Sequence, residues 1–188
     1  MADAVGLRPA IDEDIELLGA LARDPAVEAY LAPGAWERPS LTAWLERDPG
    51  NGAPPTGLYV IESPAGVPLG GLALTVVNRR NGICDLGRLM VAPAARRAGA
   101  ALAAVRLATR TALVDYGLHR MEAQVYGDNR AGQRLFERAG FAREGSRRRA
   151  YWRRERWLDG IFYGLLAEEL EEAPSASTGS PPYPTPRR

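Results

Sequence analysis

LMVAPAARRAGAAL, residues 89–102, is the stretch on which the fold turns. An apolar run ends at Val91, Pro93 interrupts it, small residues follow, and a strongly helical run begins at Ala100 (AALAAVRLATRTALVDY), closed by Gly117 as a C-cap. A strand therefore feeds a long helix through a loop of small side chains. The unpaired N–H groups of a helix's first turn, with the positive end of its dipole, make an anion site. Gly99, Ala100 and Ala101 let those donors come close to a phosphate, and Arg96 and Arg97 place charge and forked donors beside it. The same residues also fit a plain helix start with arginines on a solvated face.

Working outward, period-2 and helical patterns alternate along the chain. Val5 to Arg8 is a short strand, and AIDEDIELLGALARD is an amphipathic helix with acids in its first turn. DPAVEAYLA forms a second short helix, LTAWLER after Ser40 a capped third, and GNGAPPTG a loop. LYVIES and LGGLALTVV pair as a hairpin, and ICDLGRLMV follows the turn at Asn81-Gly82 as the next strand. Beyond the central helix come a strand, HRMEAQVY, and a helix, DNRAGQRLFERAGF, stopped at Gly140. Two final strands lie in FAREGSRRRAYW and RWLDGIFYGLLAEEL. The order is mixed α/β with antiparallel hairpins and one strand-helix-strand crossover.

Composition bounds the chemistry. With 188 residues, 46% of them apolar, the chain holds one domain with a real core, read as residues 1–172, and a flexible Pro/Ser-rich tail, 173–188. All 24 basic residues are arginine, so a Schiff-base lysine or a P-loop lysine is excluded. One cysteine, Cys84, makes no internal disulfide, and one histidine, His119, builds no histidine-rich metal cluster, so no metal site is expected. His119 sits at a strand start, where a structural or exposed role is expected. No apolar run of about 18 residues and no signal-type N-terminus occurs, which reads as a soluble, cytoplasmic protein with no membrane partner.

The string Val91-x-Pro93-x-x-Arg96-x-x-Gly99-x-Ala101 resembles the acyl-CoA pyrophosphate loop of the GNAT superfamily of N-acetyltransferases, where Gln/Arg-x-x-Gly-x-Gly/Ala follows a Val-x-Pro strand end. GLHRMEAQVYGDNRAGQRLFERAGF is similar to that family's next strand and helix, with Asn129 opening the helix and Gly140-Phe141 ending it. Arg143-Glu144-Gly145 and RWLDGIFYGLLAEE resemble the closing strands of the branch that acetylates ribosomal-protein N-termini, and LRPAIDEDIELL looks like the family's opening. The likeness spans about residues 5–170.

The resemblance implies a mixed, mostly antiparallel sheet of about seven strands with helices on both faces, splayed after the fourth strand to admit acetyl-CoA. It implies acetyl transfer to a primary amine of a small molecule or a protein N-terminus, by a monomer or homodimer. The backbone of Leu89, Met90 and Val91 would pair with the pantetheine amides, and the amides of Arg97, Ala98, Gly99, Ala100 and Ala101 would hold the pyrophosphate. Asn129 would contact the pantetheine arm. Asp85, on the fourth strand, stands where many members carry a glutamate base; it also reads as a surface carboxylate or a partner for Arg88, and Gly87 replaces the pattern's second acid. Seven residues after Asn129, where many members place a thiolate-protonating tyrosine beside the cofactor, this chain has Phe136. Tyr126 is then a candidate acid, or an ordinary strand residue. A weakly active acyl-CoA-sensing member is the alternative these departures motivate.

FAREGSRRRAYWRRER carries seven arginines between Arg143 and Arg156, interleaved with Tyr151 and Trp152. It reads first as a solvated hairpin, then as a site for an acidic acceptor or the 3′-phosphate of CoA, and last as a nucleic-acid patch. Trp36, Trp44, Trp152 and Trp157 read as core or rim residues that could wall an acceptor pocket.

Overall fold

A computed structural model describes residues 5–32, 37, 42–43 and 55–170. Strands β1 (Gly6–Pro9), β2 (Gly57–Glu62), β3 (Pro68–Asn78) and β4 (Ile83–Val91) are joined by β5 (Arg120–Tyr126), β6 (Ala142–Arg153) and β7 (Arg156–Leu166). They form one seven-stranded sheet in the order β1-β2-β3-β4-β5-β7-β6. Every neighbouring pair is antiparallel except β4 and β5. Helices α1 (Asp14–Ala22) and α2 (Pro25–Glu28) precede the hairpins; α3 (Ala100–Arg110) links β4 to β5, and α4 (Arg130–Ala139) links β5 to β6.

The mixed α/β architecture matches the expectation, strand count included. Of the helix expected after Ser40, only Thr42 and Ala43 are described, and both are helical. Trp36, Trp44 and the tail from 173 lie outside the described residues. The long central helix is shorter than its periodicity predicts: α3 stops at Arg110, and a π-helical turn covers Thr111–Asp115. Such a turn inserts one extra residue into the helical repeat and re-aims the chain beyond it.

Two apolar layers sandwich the sheet. On one face, Ala100, Ala104, Ala108 and Ala112 run down α3 and its π turn at four-residue spacing. They pack against Leu72, Leu74, Cys84, Leu86, Met121, Ala123 and Val125. On the other face, Ile15, Leu18, Ala22 and Val27 cover Leu58, Val60, Ala73 and Met90. The start of α1 is fixed electrostatically: the buried Asp14 carboxylate accepts from Arg8 Nη1 and Nη2 at 2.7 and 2.8 Å and from the Ile11 amide at 2.9 Å. That guanidinium holds the Asp14 carboxyl below its ordinary range.

The element that shapes the site is a bulge in β4. Gly87 pairs with Ala73 and Met90 with Gly71, so Arg88 and Leu89 together oppose Leu72 alone. Arg88 takes φ 53°, a left-handed conformation. Opposite it, β3 must come close. A Cβ on Gly70 would overlap the Met90 carbonyl oxygen, and one on Gly71 would come within 2.8 Å of Leu18 Cδ2. Gly70→Val is therefore expected to destabilise the fold by about 1–3 kcal/mol, lowering the thermal midpoint by roughly 2–4 °C per kcal/mol. An unchanged melting curve would mean that β3 and β4 are not pressed together there.

Candidate functional site: a fork between β4 and β5

The two parallel strands pair only at Ile83–Arg120, Cys84–Met121 and Asp85–Glu122. Beyond that rung β4 runs on to Val91 and β5 to Tyr126 with no pairing between them, and the bulge at Arg88 bends β4 within the gap. The sheet forks there. The backbone of Leu86 to Val91 on the β5 side lacks a strand partner, which leaves an edge inside a protein that otherwise pairs its strands.

Asp85 stands at the crotch of the fork. Cys84 and Leu86 face the α3 core, so Asp85 and Gly87 face the α1 side. Burial, and secondarily the charge of its register partner Glu122, push its carboxyl up to about 6. Glu122 was missed by sequence reasoning because only the parallel register makes it a neighbour of Asp85. It accepts from Arg120 Nε at 2.8 Å, and Arg120 also bridges to Glu144. Cys84 is no nucleophile, since burial pushes its thiol up to about 12.

β4 ends at the anion loop. Pro93–Ala95 makes one 3₁₀ turn, and the chain then passes through left-handed positions at Arg97 (φ 64°) and Gly99 (φ 89°) before α3 begins at Ala100. Left-handed residues next to a helix start turn successive N–H groups into one concavity, the arrangement that cradles phosphates. Ala98 is exposed, Ala101 half-buried, and Ala100 buried in the core beneath the loop. The two arginines divide. Arg97 is exposed at the loop, whereas Arg96 turns back, donating from Nη2 to Asp24 Oδ2 at 2.8 Å and from Nε to the Val91 carbonyl at 3.1 Å. Arg96 thus braces the loop against the start of α2. Its partner lies 72 residues away in sequence, so no local pattern reveals the pair.

At the far side of the fork, Asn129 caps α4, its Oδ1 accepting from the Gly132 amide at 2.9 Å, which leaves the side-chain amide as its free donor end. Leu89 is half-buried, while Met90 and Val91 point into opposite cores. Phe136 sits deeper than the cofactor contact its position implies. Only 5% exposed, its ring packs edge-on to Phe141 at 5.2 Å and stacks on Tyr163 at 5.9 Å. Phe136→Tyr is accordingly expected to cost about 1–3 kcal/mol, by burying a hydroxyl among aromatic rings, without raising turnover. A faster variant would mean that the ring edge reaches the cleft.

Tyr126 is not brought to Asp85. It lies four residues beyond Glu122 on the diverging strand, its hydroxyl accepting from Arg153 Nε at 3.1 Å and Nη2 at 2.8 Å. His119 is exposed, its amide bonded to the Gly82 carbonyl at 2.9 Å, as a structural position requires. Trp152 and Trp157 form an exposed edge-on pair, 54% and 56% accessible, at the tip of the last hairpin, so they belong to the surface and not to the core.

Among the described residues no helix is long and apolar enough to cross a membrane, and no cluster of three or more His, Cys, Asp or Glu side chains could hold a metal ion. The chain is similar in structure to spermidine N-acetyltransferase from Vibrio cholerae in complex with CoA and spermine (18% identity, 88% of this chain and 96% of that one, TM-score 0.75). It is also similar to a protein from Chromobacterium violaceum described as a probable GNAT-family acetyltransferase (28% identity, 89% and 85%, TM-score 0.72). A GNAT-family acetyltransferase from Bacillus anthracis gives 19% identity, 89% and 98% coverage and a TM-score of 0.73. The family model of the GNAT acetyltransferase domain matches residues 5–142. With its forked seven-stranded sheet and a small-residue loop leading from β4 into α3, this chain belongs to the GNAT family of acetyltransferases, enzymes that transfer an acetyl group from acetyl-CoA to an amine.

Proposed function

We propose that the acceptor is a primary amine, of a small molecule or a peptide N-terminus, and that Asp85 is the base that readies it. The observation that carries this reading is the fork itself, which sets an unpaired strand edge between a half-buried carboxylate and a phosphate-type loop. Acetyl-CoA supplies the activated acetyl thioester when bound. The residues present fit it: the amides of Arg97 to Ala101 hold the pyrophosphate at the start of α3, with the Arg97 guanidinium close by. The unpaired backbone of Leu89 to Val91 takes the pantetheine amides as an added strand would, and the Asn129 side-chain amide approaches the same arm from the start of α4.

Asp85 then does the chemistry the chain must provide. An amine attacks only when neutral, and a carboxylate lifted to about 6 is ionised at neutral pH yet basic enough to take a proton, directly or through one water. Phe136 has no hydroxyl to give, and the Tyr126 hydroxyl is engaged by Arg153. The departing thiolate is a weak enough base to leave without a dedicated acid.

Amine-dependent release of free thiol from acetyl-CoA, with the acetylated amine identified by mass, tests this reading. Turnover on primary amines is expected. Binding of acetyl-CoA with no release on any primary amine would sink it.

A further inference from the structure

The arginines of the last hairpin are sorted by their partners. Arg154 and Arg156 both donate to Asp128 Oδ2, at 2.8 and 2.5 Å. Arg147 and Arg153 have no carboxylate partner among the described residues. Arg147 lies 5.2 Å from the centre of the Phe162 ring and Arg153 5.4 Å from that of Tyr126. Besides its two bonds to the Tyr126 hydroxyl, Arg153 donates, among the described residues, only a long contact from Nη1 to the Trp152 carbonyl, at 3.5 Å. A guanidinium has five N–H donors, so capacity for an anion remains. Held over a ring, it has already lost the side-chain freedom that binding would otherwise cost.

Strand alternation shows which side this charge is on. Met121, Ala123 and Val125 face the α3 core, so Glu122, Gln124 and Tyr126 share the face of Asp85. Tyr151 extends the same surface: its ring crosses Gly160, where a Cβ would come within 2.6 Å, and its hydroxyl donates to Gln124 Oε1 at 2.7 Å. From the crotch of the fork outward, the acceptor side therefore runs from carboxylates, across tyrosines and an amide, to an unneutralised guanidinium. Glu122 to Tyr126 is four residues, about 13 Å along a strand.

We propose that the acceptor is a primary amine bearing an anionic group, a carboxylate or phosphonate, several bonds from the nitrogen, and that Arg153 is the residue that selects it. The inference rests on acetyl transfer at the fork. It adds that the amine enters at the acidic end while the anion is taken by the basic end. A polyamine would instead set its second cation against Arg153.

The test measures kcat/KM on matched acceptors in two arms. One compares ω-amino carboxylates of increasing length with alkylamines of equal length, and the other compares peptides with Glu against Gln at the second or third residue. The anionic member of a pair is expected to win by about tenfold to hundredfold, the range for a hydrogen bond to a charged group, mainly through KM. The arm in which it wins identifies a free small molecule or a peptide as the source. Arg153→Gln should collapse that ratio, and Arg153→Glu should reverse it toward cationic acceptors, with folding checked by thermal unfolding. Equal rates within every pair, or spermidine preferred to all, overturns the proposal while acetyl transfer stands. No thiol release with any amine removes both.

Discussion

Asp85→Asn is expected to lower kcat by about 10²–10⁴, the usual worth of a positioned general base, and at the same time to make the folded protein more stable at neutral pH. Both effects have one cause. Burial, followed by the neighbouring Glu122 charge, raises the Asp85 carboxyl from its ordinary 3.8 to about 6. The folded protein thus holds this proton more tightly than the unfolded chain. Its ionisation costs nothing below about 4, costs progressively more as pH rises through about 6, and above that costs a constant amount of about 1–3 kcal/mol. Asparagine removes the charge and with it the cost. The rate responds in the opposite sense, since a base works only when deprotonated. Wild-type kcat/KM should rise with pH through about 6, and the variant should lack that limb. Thermal unfolding at acid and neutral pH, together with the pH-rate profile, reads both. A variant with unchanged kcat and the same acid limb would move the base elsewhere.

Gly99→Glu is expected to weaken acetyl-CoA binding by roughly a hundredfold. Gly99 adopts φ 89°, where any side chain costs about 1–2 kcal/mol. A carboxylate there would also set negative charge against the pyrophosphate at the positive end of α3. Gly99→Ala separates the two contributions, because it carries the strain without the charge and should cost only about tenfold. The charge-dependent part should shrink as salt is raised. Calorimetric titration of both variants at low and high salt provides the comparison. Unchanged affinity in both would mean that the loop at the start of α3 does not hold the donor.

Much of this molecule was legible from residue type and spacing. Alternation in LYVIES, ICDLGRLMV and HRMEAQVY marks real strands, and the Gly99 and Ala101 spacing marks the loop, because small residues are what a close backbone approach demands. The features that stayed hidden depend on distant partners or on a single backbone angle. Nothing in ICDLGRLMV announces the left-handed Arg88 that bulges β4. The brace between Arg96 and Asp24, the cap of α2, joins residues far apart in sequence. Glu122 gained meaning only when the parallel rung set it beside Asp85. The arginine run is uniform in sequence, and only the packing distinguishes Arg154 and Arg156, which share the Asp128 carboxylate, from Arg147 and Arg153, which have no carboxylate partner among the described residues.

A crystal structure of the protein with CoA bound would show whether the fork between β4 and β5 is the donor site. The pyrophosphate is expected on the amides of Arg97 to Ala101, the pantetheine paired along Leu89 to Val91, and the thiol in the fork on the Asp85 side. A CoA molecule held outside the fork, with β4 and β5 closed on each other beyond Asp85 and Glu122, would contradict that placement.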